Sequence, residues 1–213
     1  RDEFFETHWQ RLGDLTANPW IRAEGIFLNM RAFADEGLLY MESQVATDGY
    51  QTASGKSIPA DEVAAIFRAR LAKKDALATG MTVRFQQAVL RFLPNAEQQL
   101  TQAYRFVASN WPWVAVNLVG REDNDKGHPL RFLSTLRELR KQHHGVSLSI
   151  HAGEVDEPNS HVLDTLLLGA DRIGHGLNLI TDPQTLLIMR HGPYLVEINL
   201  ISNLLLQYID DYQ

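Results

Sequence analysis

The sequence predicts an α/β protein built on a parallel sheet. Three observations carry this. Six short apolar runs have strand character, helix-period segments of about a dozen residues separate them, and polar residues fit for chemistry gather where the apolar runs stop. Two architectures share that pattern, a β/α barrel and an open doubly wound sheet. No Gly-x-Gly-x-x-Gly follows a strand and opens a helix, so a dinucleotide-binding sheet loses support.

The elements follow in order. Ile21 to Glu36 reads as a helix closed by Gly37, a residue suited to the left-handed position after a last turn. Leu38 to Glu42 reads as a short buried strand, and the polar stretch Thr47 to Ser57 as a loop. Pro59 opens a second helix with Asp61 and Glu62 in its first turn, where carboxylates meet the positive dipole end. Val63, Ile66, Phe67 and Leu71 form its apolar face. Met81 to Leu90 is strand-like, and Ala96 to Ser109 a helix with Leu100, Ala103, Tyr104 and Val107 on one side. Trp113 to Val119 is a strand, Leu130 to His144 a helix stopped by Gly145, and Val146 to Ile150 a strand ending at His151. Two more units follow: Val162 to Leu168 with Arg172 to His175, then Gln184 to Arg190 with Tyr194 to Asn199.

Composition narrows the chemistry. Hydrophobic residues make up 45% and charged residues 22%, the balance of a globular protein with a substantial core. A net charge of −6 argues against binding a phosphate backbone and favours a small uncharged or cationic substrate. The absence of cysteine excludes disulfide scaffolds, thiolate zinc sites and cysteine nucleophiles. No apolar run reaches the roughly 20 residues of a membrane span, and Arg1 to Glu6 lacks the pattern of a signal peptide. A cytoplasmic protein without membrane or nucleic-acid partners is expected, organised as a single domain over residues 1–213.

Glu42, Gly120 with Glu122, His151 with Glu154, His175, and Asn199 to Asn203 all stand at predicted strand ends. In a barrel those ends converge on one rim, so residues distant in sequence meet. A histidine there can ligate zinc through its neutral ring, and a glutamate three residues on can reach a bound substrate. A further histidine can take a proton from water. One strand-end histidine is more often structural than chemical. Here small residues flank both histidines, which suits close approach of a ligand. His8, His128, His143, His144, His161 and His191 read as structural. Asp123 to Gly127 imitates a calcium loop, but its glycine comes one place early and Ser134 stands where a glutamate belongs. It reads as a solvated loop.

Ser149-Ile-His-Ala-Gly-Glu154, Arg172-Ile-Gly-His-Gly176, Glu197-Ile-Asn-Leu-Ile-Ser-Asn203 and Asn117-Leu-Val-Gly-Arg-Glu122 together resemble the adenosine deaminase family of the amidohydrolase superfamily. The likeness is greatest to the branch of adenosine deaminase-related growth factors. It implies a (β/α)8 TIM barrel, of which this sequence represents strands two to seven, and one Zn2+. It further implies hydrolysis of adenosine or a related 6-aminopurine to the 6-oxo product and ammonia. By the same resemblance His151 is a zinc ligand, Glu154 protonates purine N1, and His175 orients and deprotonates the water on the zinc. Gly120 donates its N–H to purine N3, Ser202 and Asn203 support the site, and Glu42 lies near the ribose. The purine nucleoside is then the small-molecule partner.

The sequence also departs from the family. Its His-x-His pair on the first strand has no counterpart here, and Asp210-Asp211 comes too early to be the pair after the eighth strand. Asn117 replaces the usual aspartate. The 213 residues by themselves are therefore expected to be inactive, since one protein ligand does not hold a catalytic zinc that takes at least three. A non-catalytic purine-binding or signalling homologue, and a superfamily hydrolase of another modified purine, stand as alternatives.

Overall fold

The computed structural model describes residues 7–122, 125–155 and 159–211. In chain order the elements are α1 (Gly13–Thr16), α2 (Pro19–Asp35), β1 (Tyr40–Gln44), α3 (Ala60–Leu71), α4 (Lys74–Leu77), β2 (Thr82–Leu90) and α5 (Ala96–Ser109). They continue with β3 (Trp113–Val119), α6 (Leu133–Gln142), β4 (Ser147–Ala152), α7 (His161–Leu167), β5 (Arg172–His175), α8 (Pro183–Arg190), β6 (Leu195–Glu197) and α9 (Leu200–Leu205). Order in the sheet is order in the chain, β1 to β6, and the registers of β1–β2, β3–β4, β4–β5 and β5–β6 are all parallel. That decides between the two architectures left open above. A doubly wound sheet reverses its strand order at a switch point, whereas a barrel winds in one direction throughout. The fold is of the β/α-barrel class.

The chain divides into two compact units. The first comprises Arg1–Gln86 and Asn110–Trp113. Its long helix α2 starts where Asn18 accepts from the N–H groups of Trp20 and Ile21, with Pro19 in the first turn. It ends before Gly37, whose φ of +90° reverses the chain. Ile26, Phe27 and Met30 of α2 are buried, and α2 packs on α3. Phe67, Phe85 and Trp113 cluster edge-on or tilted, with centroids 4.7 to 6.1 Å apart, and the Trp113 indole N–H donates to Val45 O at 2.8 Å. Arg70, buried on α3, pairs with Glu24 and Asp75 and lies over the Phe27 ring.

The second unit comprises Gln87–Ser109 and Val114–Gln213. Here α5 buries Leu100, Ala103, Tyr104 and Val107, the face its periodicity predicts. Leu118, Leu148, Ile150 and Ile173 are fully buried on β3, β4 and β5. The run Leu148-Ser149-Ile150 is buried without alternation, because a parallel strand is covered on both faces.

Three expectations need correction. The strand predicted as buried at Leu38 to Glu42 is shifted to Tyr40–Gln44, with Met41 alone buried and Leu39 76% exposed. It stands at the end of the strand order, paired among the described residues with β2. The helix predicted from Leu130 begins as a 3-10 turn over Pro129–Phe132 and becomes α-helical at Leu133. It stops at Gln142, since His143 has φ −130° and ψ 64°, so His143 and His144 lie beyond its last turn. Of the segment Asp123 to Gly127, read as a solvated loop, residues 123–124 lie outside the described residues, and Asp125–Gly127 form a 3-10 turn. The N-terminal segment read for a signal pattern, residues 1–6, also lies outside them. Among the described residues no helix is long and apolar enough to cross a membrane.

Candidate active site

The candidate site lies wholly within the second unit, at the C-terminal ends of its strands. His151 on β4 is paired in register with Gly174 on β5, and Ala152 with His175. Side chains directly opposite each other share a face, so the His151 ring lies over Gly174. A Cβ added at Gly174 would come within 3.0 Å of His151 Cγ and Nε2 and closer still to Cδ2. The glycine is there because the imidazole occupies that space.

His175 is one residue further on, and regular pleating would send it to the opposite face from His151. Its backbone has instead left the strand region, with φ at +66°, an unusual conformation for a residue with a side chain. The two rings consequently meet edge to face, with centroids 4.8 Å apart. Such a backbone costs about 1–3 kcal/mol and persists where the surroundings enforce it. Asn203 on α9 supplies one restraint, because its Oδ1 lies 2.7 Å from His175 Nδ1. With an acceptor there, Nδ1 carries the proton and Nε2 presents a lone pair.

Glu154 completes the group. Its Oε2 lies 3.3 Å from His175 Nε2 and 4.0 Å from His151 Nδ1. All three side chains are nearly buried, at 12%, 11% and 2% exposure for His151, Glu154 and His175. Burial holds the His151 imidazole well below its ordinary pKa, and the charges of His175 and Arg91 act in the same direction. His175 is also lowered, chiefly by burial, against the Asn203 bond and the Glu122 charge, which raise it. Both shifts favour the neutral ring, the form that ligates a metal or accepts a proton. Their ligand atoms and a Glu154 oxygen lie within 4.8 Å of one another, close enough to hold a metal ion.

The adenosine deaminase family profile matches residues 24–213. The chain belongs to that family. Adenosine deaminase from Aedes albopictus is 25% identical over 191 residues, covering 86% of this chain and 35% of the relative. The adenine deaminase structure from Arthrobacter aurescens superposes with a TM-score of 0.73 at 18% identity, over 92% of this chain and 58% of that one. An amidohydrolase from Burkhoderia ambifaria, solved with bound zinc, superposes at 0.69 with 20% identity, over 85% and 48%. The chain spans about a third of the length of that curated relative and about half of these solved chains.

Of the residues singled out in the sequence, the structure brings His151, Glu154 and His175 together. Gly120 follows β3 with φ +92°, its Cα against the Phe92 ring and its carbonyl accepting from Arg91. Asn203, rather than Ser202, meets His175; Ser202 is half-buried on α9. Glu42 belongs to the first unit, where Tyr40 Oη donates to it at 2.5 Å and Gln86 Nε2 at 2.8 Å.

Two contributors escaped sequence reasoning. Arg91 is completely buried, with Nε donating to Gly120 O at 2.9 Å and an Nη to His151 O at 2.6 Å. One guanidinium thereby ties the ends of β3 and β4. His161, read as structural, is buried with Nδ1 at 2.8 Å from Glu122. Each pairing spans dozens of residues, and nothing local in the sequence signals it.

Proposed function

We propose that the protein is a zinc-dependent hydrolase that deaminates adenosine or a related 6-aminopurine. The observation that carries this reading is the buried convergence of two histidines and one glutamate at strand ends. The chemistry of the set fits zinc, which favours imidazole and carboxylate donors, and His151 is the ligand assigned to it. When bound, zinc acts as a Lewis acid and lowers the pKa of water.

The remaining roles belong to the chain's own groups. Glu154 delivers a proton to purine N1, which drains electron density from C6. His175 accepts the proton of the attacking water at Nε2, the atom that Asn203 leaves open by engaging Nδ1. Gly120 presents its N–H to purine N3, with its turn pinned by Arg91. Ser202 supports the nucleoside beside Asn203. Water adds at C6; the proton held by His175 passes to the amino group, which leaves as ammonia, and the hydroxyl proton returns to Glu154 as the 6-oxo purine forms.

Ammonia release by the zinc-loaded natural gene product, with adenosine as substrate, tests this. Glu154→Ala should lower kcat by about 100-fold to 10,000-fold, the range of general acid–base catalysis, with the urea midpoint unchanged. Wild-type turnover in that variant would sink the role given to Glu154. The free base is a second candidate substrate, since the Arthrobacter aurescens protein of the same fold is an adenine deaminase. A panel of 6-aminopurines with and without ribose decides between them.

A further inference from the structure

Glu122 stands two residues after Gly120, and its side chain has no exposed surface. Burying an unpaired carboxylate is costly, so its oxygens must be engaged. Both are. Oε2 lies 2.8 Å from His161 Nδ1, the first residue of α7. Oε1 accepts the backbone N–H of Glu154. One buried carboxyl group therefore joins the segment after β3, the segment after β4 and the start of a helix.

Glu154 belongs to no helix or strand, so no ladder of backbone hydrogen bonds fixes it. The residue before it, Gly153, has φ +77°, which turns the chain sharply as it leaves β4. The backbone N–H of Glu154 donates instead to the carboxyl group of the fully buried Glu122 side chain. The Glu154 carboxyl, 3.3 Å from His175, is aimed by that backbone.

Resting on the deaminase reading above, we propose that Glu122, backed by His161, is the positioning residue for the acid Glu154. It touches no reacting atom. It anchors the Glu154 N–H so that the carboxyl stays beside His175, and His161 in turn orients and compensates the Glu122 carboxylate.

The test uses the zinc-loaded natural gene product with adenosine as substrate, reading kcat, KM, zinc content and the urea midpoint. Glu122→Met keeps the length of the side chain and removes the acceptor. It should lower kcat by about 100-fold, the cost of a displacement near 1 Å, with the other three readings near wild type. Glu122→Gln retains an acceptor and should recover kcat to within about tenfold. His161→Asn places an amide nitrogen near Nδ1 and should restore what His161→Ala loses. Wild-type kcat in Glu122→Met, with Glu154→Gln inactive, overturns the positioning role and leaves the deaminase reading standing. Wild-type kcat in Glu154→Gln overturns that reading itself. A loss of kcat no larger than the loss of folded protein makes Glu122 a structural pin and overturns the proposal. If Glu122→Met does not fold, the histidine pair decides: equal kcat in His161→Ala and His161→Asn overturns it, and recovery in the asparagine variant supports it.

Discussion

Gly174→Ala puts the geometry of the site to a direct test. The added methyl would stand 3.0 Å from His151 Cγ and Nε2, and nearer to Cδ2, where carbon atoms normally rest about 3.5–4.0 Å apart. The imidazole is the far side of a tight sandwich, and its backbone is fixed by the β4–β5 register. It must therefore tip away by on the order of 1 Å, or the two strands must part. Overpacking of this kind costs about 1–3 kcal/mol of stability. A displacement of about 1 Å at a reacting group costs about 100-fold in rate, equivalent to roughly 2.7 kcal/mol of barrier. The natural gene product carrying the alanine should lose zinc and about two decades of kcat/KM, with a lowered urea midpoint. Gly25→Ala is the control: it lies inside α2 with nothing within 4 Å of the new methyl. It should raise stability by up to about 1 kcal/mol through helix propensity alone. Wild-type zinc content and turnover in Gly174→Ala would refute the packing of His151 on Gly174 and the role assigned to that ring.

Other consequences follow from the same coordinates. Asn203→Leu removes the acceptor at His175 Nδ1 and should lower kcat about 10-fold to 100-fold, with Asn203→Asp falling less. Arg91→Met strips the donors from two carbonyls in a closed interior, at about 1–3 kcal/mol for each unsatisfied group, which equilibrium urea unfolding measures. On the first unit, the bond from Arg70 holds the Glu24 carboxyl below its ordinary pKa. Its contribution to stability is full above the unfolded carboxylate value and disappears as pH falls through the lowered folded value. The stability gap between wild type and Glu24→Gln should close over that acidic window in a series of urea titrations, and a gap independent of pH would contradict the pairing.

Much of the fold was legible because strand and helix boundaries coincide with local chemistry. The α5, β3 and β5 boundaries agree with their predicted ranges, and each element is flanked by asparagine, aspartate, glycine or proline. The misplaced pieces were set by tertiary context. β1 reads as a buried run, yet its burial depends on neighbours, and among the described residues it pairs with β2 alone. The 3-10 turn before α6 follows from His128 accepting from Leu130 N–H ahead of Pro129, a geometry that apolar periodicity does not encode.

In the site, residue types were legible and their restraints were not. Strand-end histidines and a glutamate announce themselves because polar groups seldom end consecutive apolar runs without a purpose. Which atom of the His175 ring is open depends on Asn203, and the His151 backbone is held by Arg91, both partners far along the chain. Pleating alone would separate the two rings, since His151 pairs with Gly174 and His175 with Ala152. They meet because the last residue of β5 takes a positive φ, and glycine follows it at φ +61°, continuing the left-handed turn. The Arg172-Ile-Gly-His-Gly176 run thus does two separate things. Gly174 clears room for one histidine, and the turn at His175 and Gly176 swings the other histidine toward it. Replacing Gly176 with alanine should test the second of these without touching the first. A Cβ there meets Val196 at 3.0 Å and adds a second side chain in the left-handed region, so the turn should relax and His175 withdraw. A fall in kcat with zinc content retained is the expected result, and loss of zinc with kcat per bound zinc unchanged would show that the turn serves His151 instead.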